Sequence, residues 1–85
     1  MKKLILLMVV LMALPVMARA ASLDDANAAF AAGKFAQSTA AYEEVLKTNG
    51  YSAPVLFDLG NSYFREGNYP QAILAYKRAL WLAPR

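Results

Sequence analysis

Two pentapeptides, GKFAQ at 33–37 and GNYPQ at 67–71, stand 34 residues apart in an 85-residue chain. Sliding the sequence by that interval brings Asp24 onto Asp58, Asn27 onto Asn61 and Phe30 onto Phe64. It also brings Ala41 onto Ala75, Tyr42 onto Tyr76 and Leu46 onto Leu80, with Leu23/Phe57 and Phe35/Tyr69 as conservative matches. Self-similarity at a fixed period of this size belongs to arrays of stacked supersecondary units. Each unit is too small to bury its own apolar face and relies on its neighbour to cover it.

Within each unit the punctuation divides two helices. In the second, Pro54 suits a first helical turn, where its missing N–H would have no partner anyway. Leu56, Leu59, Gly60, Tyr63 and Phe64 recur at three- and four-residue spacing. Gly67 stops that helix, because glycine enters a left-handed cap without a Cβ clash. Pro70 opens the next helix, whose apolar stripe is expected to be Ile73, Tyr76, Ala79, Leu80 and Trp81 or Leu82, and Pro84 prevents continuation. In the first unit Ser22-Leu23-Asp24-Asp25 has the form of a capping box. That unit turns at Gly33, resumes from about Ala36 to Thr48 and ends at Asn49-Gly50. Gly60 and Ala72 are small where helices must approach closely, and Tyr63, Tyr69 and Tyr76 are expected to fill the space between neighbouring pairs.

The front of the chain obeys a different logic. Met1-Lys2-Lys3 is basic, Leu4–Ala18 carries no charge, and Ala18-Arg19-Ala20 places small residues at the first and third positions before a cut. That order predicts a secretory signal cleaved between Ala20 and Ala21, leaving a protein exported to the periplasm. The alternative is an uncleaved N-terminal membrane anchor, for which the fifteen-residue run is short of the roughly 20 residues a spanning helix needs. Three units follow: a signal peptide at 1–20, a degenerate first repeat at 21–52 and a second repeat at 53–85.

Removing the signal changes what the charge means. The full chain carries +3, all of it from Lys2, Lys3 and Arg19; residues 21–85 hold six cations against six anions. A nucleic-acid surface needs clustered excess cations, so no nucleic-acid partner is expected. Catalysis is not expected either. Histidine and cysteine are both absent, which removes the usual proton shuttle near neutral pH, thiolate chemistry and most zinc sites. The adjacent acids Asp24-Asp25 and Glu43-Glu44 do not face one another on a helix, and no glycine-rich phosphate loop occurs. No enzyme activity, metal or cofactor is expected.

The series Leu56…Leu59-Gly60…Tyr63…Gly67…Tyr69…Ala72…Tyr76…Ala79…Pro84 resembles a complete tetratricopeptide repeat over Ala53–Pro84. The first copy departs from it: Ala26 and Ala29 replace glycine and tyrosine, Ser38 and Val45 replace the two packing alanines, and Gly50 replaces the closing proline. The resemblance implies an all-α fold, two tandem helix–turn–helix hairpins forming the start of an α-solenoid that stops before a capping helix. It also implies a protein-binding scaffold. The order of features is similar to that of the tetratricopeptide proteins of bacterial aerotolerance operons, which work beside membrane-anchored envelope proteins.

In that family a ligand lies on the concave face lined by the first helix of each hairpin. Carried over, the face presents Leu23, Asn27 and Phe30 from the first unit and Phe57, Asn61, Phe64 and Arg65 from the second. The spacing agrees, since 23, 27, 30 and 57, 61, 64 each stand at i, i+4, i+7 and make one stripe. Asparagine amides suit the backbone of an extended peptide, and aromatics supply anchors. Packing roles for Phe57, Asn61 and Phe64 stay open beside this reading. Trp81 stands where the first copy has Lys47, and it is expected to meet a further helix after Arg85, a partner or a membrane. A self-associating module, pairing two copies through the apolar face, and the recognition arm of a longer protein are the competing roles.

Overall fold

A computed structural model describes residues 21–83; the expected signal peptide, its cleavage point and Pro84 lie outside the described residues. Four helices follow one another: α1 (Leu23–Ala31), α2 (Phe35–Asn49), α3 (Ala53–Arg65) and α4 (Tyr69–Leu82). The described residues form no strand, and the fold is all-α. Helix α1 packs on α2, α2 on α3 and α3 on α4, which makes two helical hairpins in series. The period survives in the geometry. Ala31 and Arg65 end the first helix of each hairpin, and Phe35 and Tyr69 begin the second, each pair 34 positions apart.

The ends form where the side chains dictate. Ser22 Oγ accepts the Asp25 N–H at 3.1 Å while the Asp25 carboxylate accepts the Ser22 N–H at 3.1 Å, closing a capping box. Ser52 caps α3 by accepting the Val55 N–H, with Pro54 in the first turn. Both hairpins turn through one motif. Gly33 (φ +76°) and Gly67 (φ +81°) donate to Phe30 and Phe64 carbonyls, and the next N–H groups, of Lys34 and Asn68, reach back to Ala29 and Tyr63 at 2.9 Å. This is the six-to-one and five-to-two bonding that terminates a helix when the residue after the cap is left-handed. The second helix of each hairpin starts at Phe35 or Tyr69, one position before the expected Ala36 or Pro70.

The core lies around α3's first two turns. Leu56, 1% exposed, sits with Tyr42, Val45 and Leu46 of α2 and with Ala75 and Ala79 of α4. Gly60 is needed by the close approach of α3 to α4: a Cβ there would stand 2.6 Å from the Tyr76 ring. Ser38, which stands where the repeat that the chain resembles has alanine, finds a use at the α2–α3 seam. Its hydroxyl meets Ser62 Oγ at 2.5 Å; Ser62 meets Thr39 Oγ1 at 2.7 Å, and Thr39 donates to the Glu66 carboxylate. The Ser38 and Ser62 hydroxyls each also lie 3.0 Å from the Phe35 carbonyl, which can accept from them, and the cluster ends on the acceptor-only Glu66 carboxylate. The seam therefore carries satisfied polar groups where an apolar pair would have sufficed for packing.

One expectation is corrected. The buried stripe of α4 is Ala72, Ala75 and Ala79, while Ile73, Leu80, Trp81 and Leu82 are exposed. The physical reason is position within the stack. Helix α2 packs extensively on two sides, against α1 and α3, whereas α4 packs extensively against α3 alone among the described residues. Leu46 is 6% exposed and its counterpart Leu80 is 52% exposed. Tyr69 also departs from expectation: it stays in its own hairpin, its ring 5.2 Å from Phe64.

Candidate functional site

A helix advances about 100° per residue, so α3 deals its side chains to four directions. Val55 and Ser62 turn to α2, Gly60 to α4, and Leu56, Leu59 and Tyr63 to the space between α2 and α4. Asn61 and Arg65 are left on the remaining side. Helix α1 places Asn27 at the equivalent point, so one face of the molecule carries an asparagine from each hairpin.

Each of these asparagines is held the same way. Tyr42 Oη donates to Asn27 Oδ1 at 2.6 Å, and Tyr76 Oη donates to Asn61 Oδ1 at 2.6 Å. Tyrosine and asparagine are 15 positions apart in both hairpins. An amide whose oxygen is fixed has a fixed plane, and its NH₂ must point away from the tyrosine. Burial pushes both phenols above their ordinary value, and for Tyr42 the charge of Asp58 adds to this. Both tyrosines therefore stay protonated donors well above neutral pH.

The other residues of the expected stripe are divided among different neighbours. Phe30 sets its ring 5.3 Å from Phe35 in an edge-on arrangement, and Phe64 lies 5.2 Å from Tyr69 with the rings tilted, so these two belong to the hairpin turns. The Arg65 guanidinium lies 4.6 Å over the Phe35 ring, a cation–π contact that ties the two hairpins together and still leaves the side chain exposed. Leu23 is exposed at the start of α1. Phe57, its counterpart, turns toward α4, 5.5 Å from the Tyr76 ring. There it lines an open groove of about 510 Å³ with Pro54, Tyr76, Ala79 and Leu80. The equivalent surface of the first hairpin, built on Tyr42, Val45 and Leu46, is the one that α3 covers with Val55, Leu56 and Leu59.

Trp81 is not part of that groove. It is 87% exposed on the opposite side of α4, beside Tyr51, Leu56, Arg78 and Leu82. Reading along the sequence missed Tyr51 and Arg78 as surface-forming residues, although Leu74, Arg78 and Trp81 at i, i+4 and i+7 give one stripe on α4. Tyr63 shares this side. Its hydroxyl donates to the Glu43 carboxylate, joining α3 to α2.

Burial first, then the hydrogen bond to Glu43 and the charges of Glu43 and Glu66, push the Tyr63 phenol up to about 12, with Arg78 opposing. A raised phenol favours the folded state only while it is protonated. The stabilisation is complete below the ordinary tyrosine value near ~10 and is lost as pH rises through the folded value. Tyr63→Phe is expected to shrink the loss of urea resistance between neutral and strongly alkaline pH. Ultraviolet titration of the phenolates should at the same time lose its latest-titrating component.

Serial helical hairpins that repeat every 34 residues, with equivalent residues meeting equivalent partners, define a repeat protein of the helix–turn–helix kind. A model of the tetratricopeptide repeat family matches residues 23–85, and the chain belongs to that family. No curated protein and no solved structure matches it. Members of the family generally serve as protein–protein interaction modules, without catalysis of their own.

Proposed function

We propose that this protein is an exported scaffold of the bacterial envelope that holds an extended segment of a partner protein along the α1/α3 face. The observation that carries the reading is the duplicated tyrosine-to-asparagine hydrogen bond. It leaves Asn27 and Asn61 each with an oriented NH₂ and no acceptor among the described residues, one repeat apart on one face. Two such donors suit the carbonyl oxygens of a peptide lying across both hairpins. Leu23 supplies exposed apolar surface, Phe57 and Phe64 keep half of theirs exposed although they turn toward Tyr76 and Tyr69, and Arg65 supplies a cation. The single arginine does not make the multi-cation grip that a chain-terminal carboxylate calls for, so an internal segment fits better.

Export is read from Met1–Ala20, and with it a partner in the envelope, soluble or membrane-anchored, as in the aerotolerance-operon proteins that the chain resembles. The test has two arms. The intact mass of the protein purified from its producing cell should correspond to a chain beginning at Ala21; a retained Met1 would refute cleavage, and a retained Met1 in a cytoplasmic fraction would refute export. Proteins that co-purify with it from the envelope fraction are then challenged with the pair Asn27→Ala, Asn61→Ala. Each lost donor weakens a peptide by about 1 kcal/mol, so the pair, at about 2 kcal/mol, should lower affinity by roughly thirtyfold. Unchanged affinity in that pair and in Phe57→Ala would remove the α1/α3 face from consideration.

A further inference from the structure

The face opposite the asparagines carries a second surface, and it is better formed. Helices α2 and α4 stand apart across α3, and the trough between them is floored by Leu46, Leu56, Leu59 and Ala75, all buried. Two chambers of about 330 and 260 Å³ join along it, sharing Tyr51, Leu56 and Arg78. At one end stand the sequence's single tryptophan, Trp81, and Tyr51, both largely exposed. Aromatic walls over an aliphatic floor are the composition of a protein-binding pocket.

The charges on the rim decide what fits. Glu43 is the acid lining the trough, and its carboxylate is already engaged by the Tyr63 hydroxyl. Lys47 and Arg78 also line it, and neither has an ion pair or side-chain hydrogen bond among the described residues. The trough is therefore apolar below and net positive by one charge along its edge, two cations against the Glu43 carboxylate. A guanidinium beside an apolar chamber suits a carboxylate that arrives with an apolar neighbour, because the bond forms partly out of water. A membrane surface is a poorer match: the aromatics lie beside a recessed trough, and two cations are few for an anionic bilayer.

We propose that the α2/α4 trough is a second docking surface, for a partner-protein segment that inserts an aliphatic or aromatic side chain between Tyr51 and Trp81 and sets a carboxylate on Arg78. The site is independent of the asparagine face, so one scaffold holds two chains on opposite sides.

Trp81 makes the test direct, since its emission reports the chamber. The protein as purified from its producing cell is titrated with octapeptides containing Leu or Phe flanked by Asp and Glu, and with counterparts in which Lys replaces every acid. The acidic set should quench or blue-shift Trp81 saturably, with the Lys set roughly tenfold weaker. Arg78→Glu should reverse that preference; Arg78→Gln, a milder change at an exposed position, should abolish it. Asn61→Ala should leave it intact, which separates this surface from the peptide face. Four results would overturn the proposal: no response to either set, equal response to both, a preference that persists in Arg78→Gln, or loss of the response in Asn61→Ala. An emission shift produced instead by protein concentration alone, or by phosphatidylglycerol vesicles and not by peptides, would also overturn it, in favour of self-association or a lipid surface.

Discussion

Leu56→Ala should cost this protein about 3 kcal/mol, the range for truncating a leucine in a core that cannot collapse around the gap. Leu56 is 1% exposed and lies between Tyr42, Val45 and Leu46 of α2 and the alanines of α4, so the cavity would open at the joint between the hairpins. Small domains of this size hold only about 3–9 kcal/mol in total on the usual per-residue scale, so the loss takes a third or more of it. Chemical denaturation followed by far-ultraviolet circular dichroism would show it as a lower midpoint. The informative control is Leu80→Ala. Leu80 is the repeat counterpart of Leu46 and has the same side chain, yet half of it is exposed and its removal should cost well under about 1 kcal/mol. Leu46→Ala should fall near the Leu56 value. Equal costs at Leu46 and Leu80 would mean that the end groove is covered in the protein as purified, by a second copy or by another chain.

The second large effect has a sign that can be reversed. Gly60→Ala normally gains about 1 kcal/mol inside a helix, because alanine is the better helix former. Here a Cβ would stand 2.6 Å from Tyr76 Cε1 and 2.7 Å from Cδ1, and the ring cannot shift freely while its hydroxyl is bonded to Asn61 and its face meets Phe57. Overpacking of this kind costs about 1–3 kcal/mol, so the substitution should be destabilising overall. With Tyr76→Ala already present the obstruction is gone, and Gly60→Ala should then stabilise. A double-mutant cycle in urea measures the coupling directly. If Gly60→Ala stabilises both backgrounds alike, the close approach of α3 to α4 is not as described. The same displacement of Tyr76 would release the Asn61 amide, so peptide affinity on the α1/α3 face should fall together with stability.

The two proposed surfaces suit what joined helical hairpins offer mechanically. The hairpins are joined by a satisfied polar seam at Ser38, Ser62, Thr39 and Glu66 and by Arg65 stacked on Phe35. Directional contacts of this kind fix the angle between hairpins more tightly than apolar packing alone, because each hydroxyl accepts only a narrow range of partner positions. A fixed angle keeps Asn27 and Asn61 in the spacing that the proposed partner segment would have to match. It also fixes the distance between α2 and α4, and with it the width of the trough.

The period of 34, the glycine turns at Gly33 and Gly67, and the cap at Ser22 were legible because they are local. A left-handed residue after a helix, or a serine three positions before an acid, has the same meaning in any surroundings. The repeat also made the family legible, since a unit that recurs in register must stack. The asparagines were visible as a stripe, but their tyrosine partners were not, because a hydrogen bond across 15 residues depends on how two helices cross. The partition of Phe30, Phe57 and Phe64 among a turn, an end groove and a second turn was hidden for the same reason. Three residues at one helical spacing look alike until the neighbours on each side are in place.

The α4 stripe shows the division most plainly. Its large apolar residues and its alanines both recur at helical spacing, and periodicity cannot tell which set faces inward. Tertiary structure decided it, because α3 is the helix that packs on α4 among the described residues: Ala72, Ala75 and Ala79 are buried, and Ile73, Leu80 and Trp81 are left exposed. By itself the sequence determined that this chain is a repeated helical hairpin, since backbone turns and caps are written in neighbouring residues. Which apolar side chains became core and which stayed exposed was decided only by which sides of each helix a neighbouring helix covers.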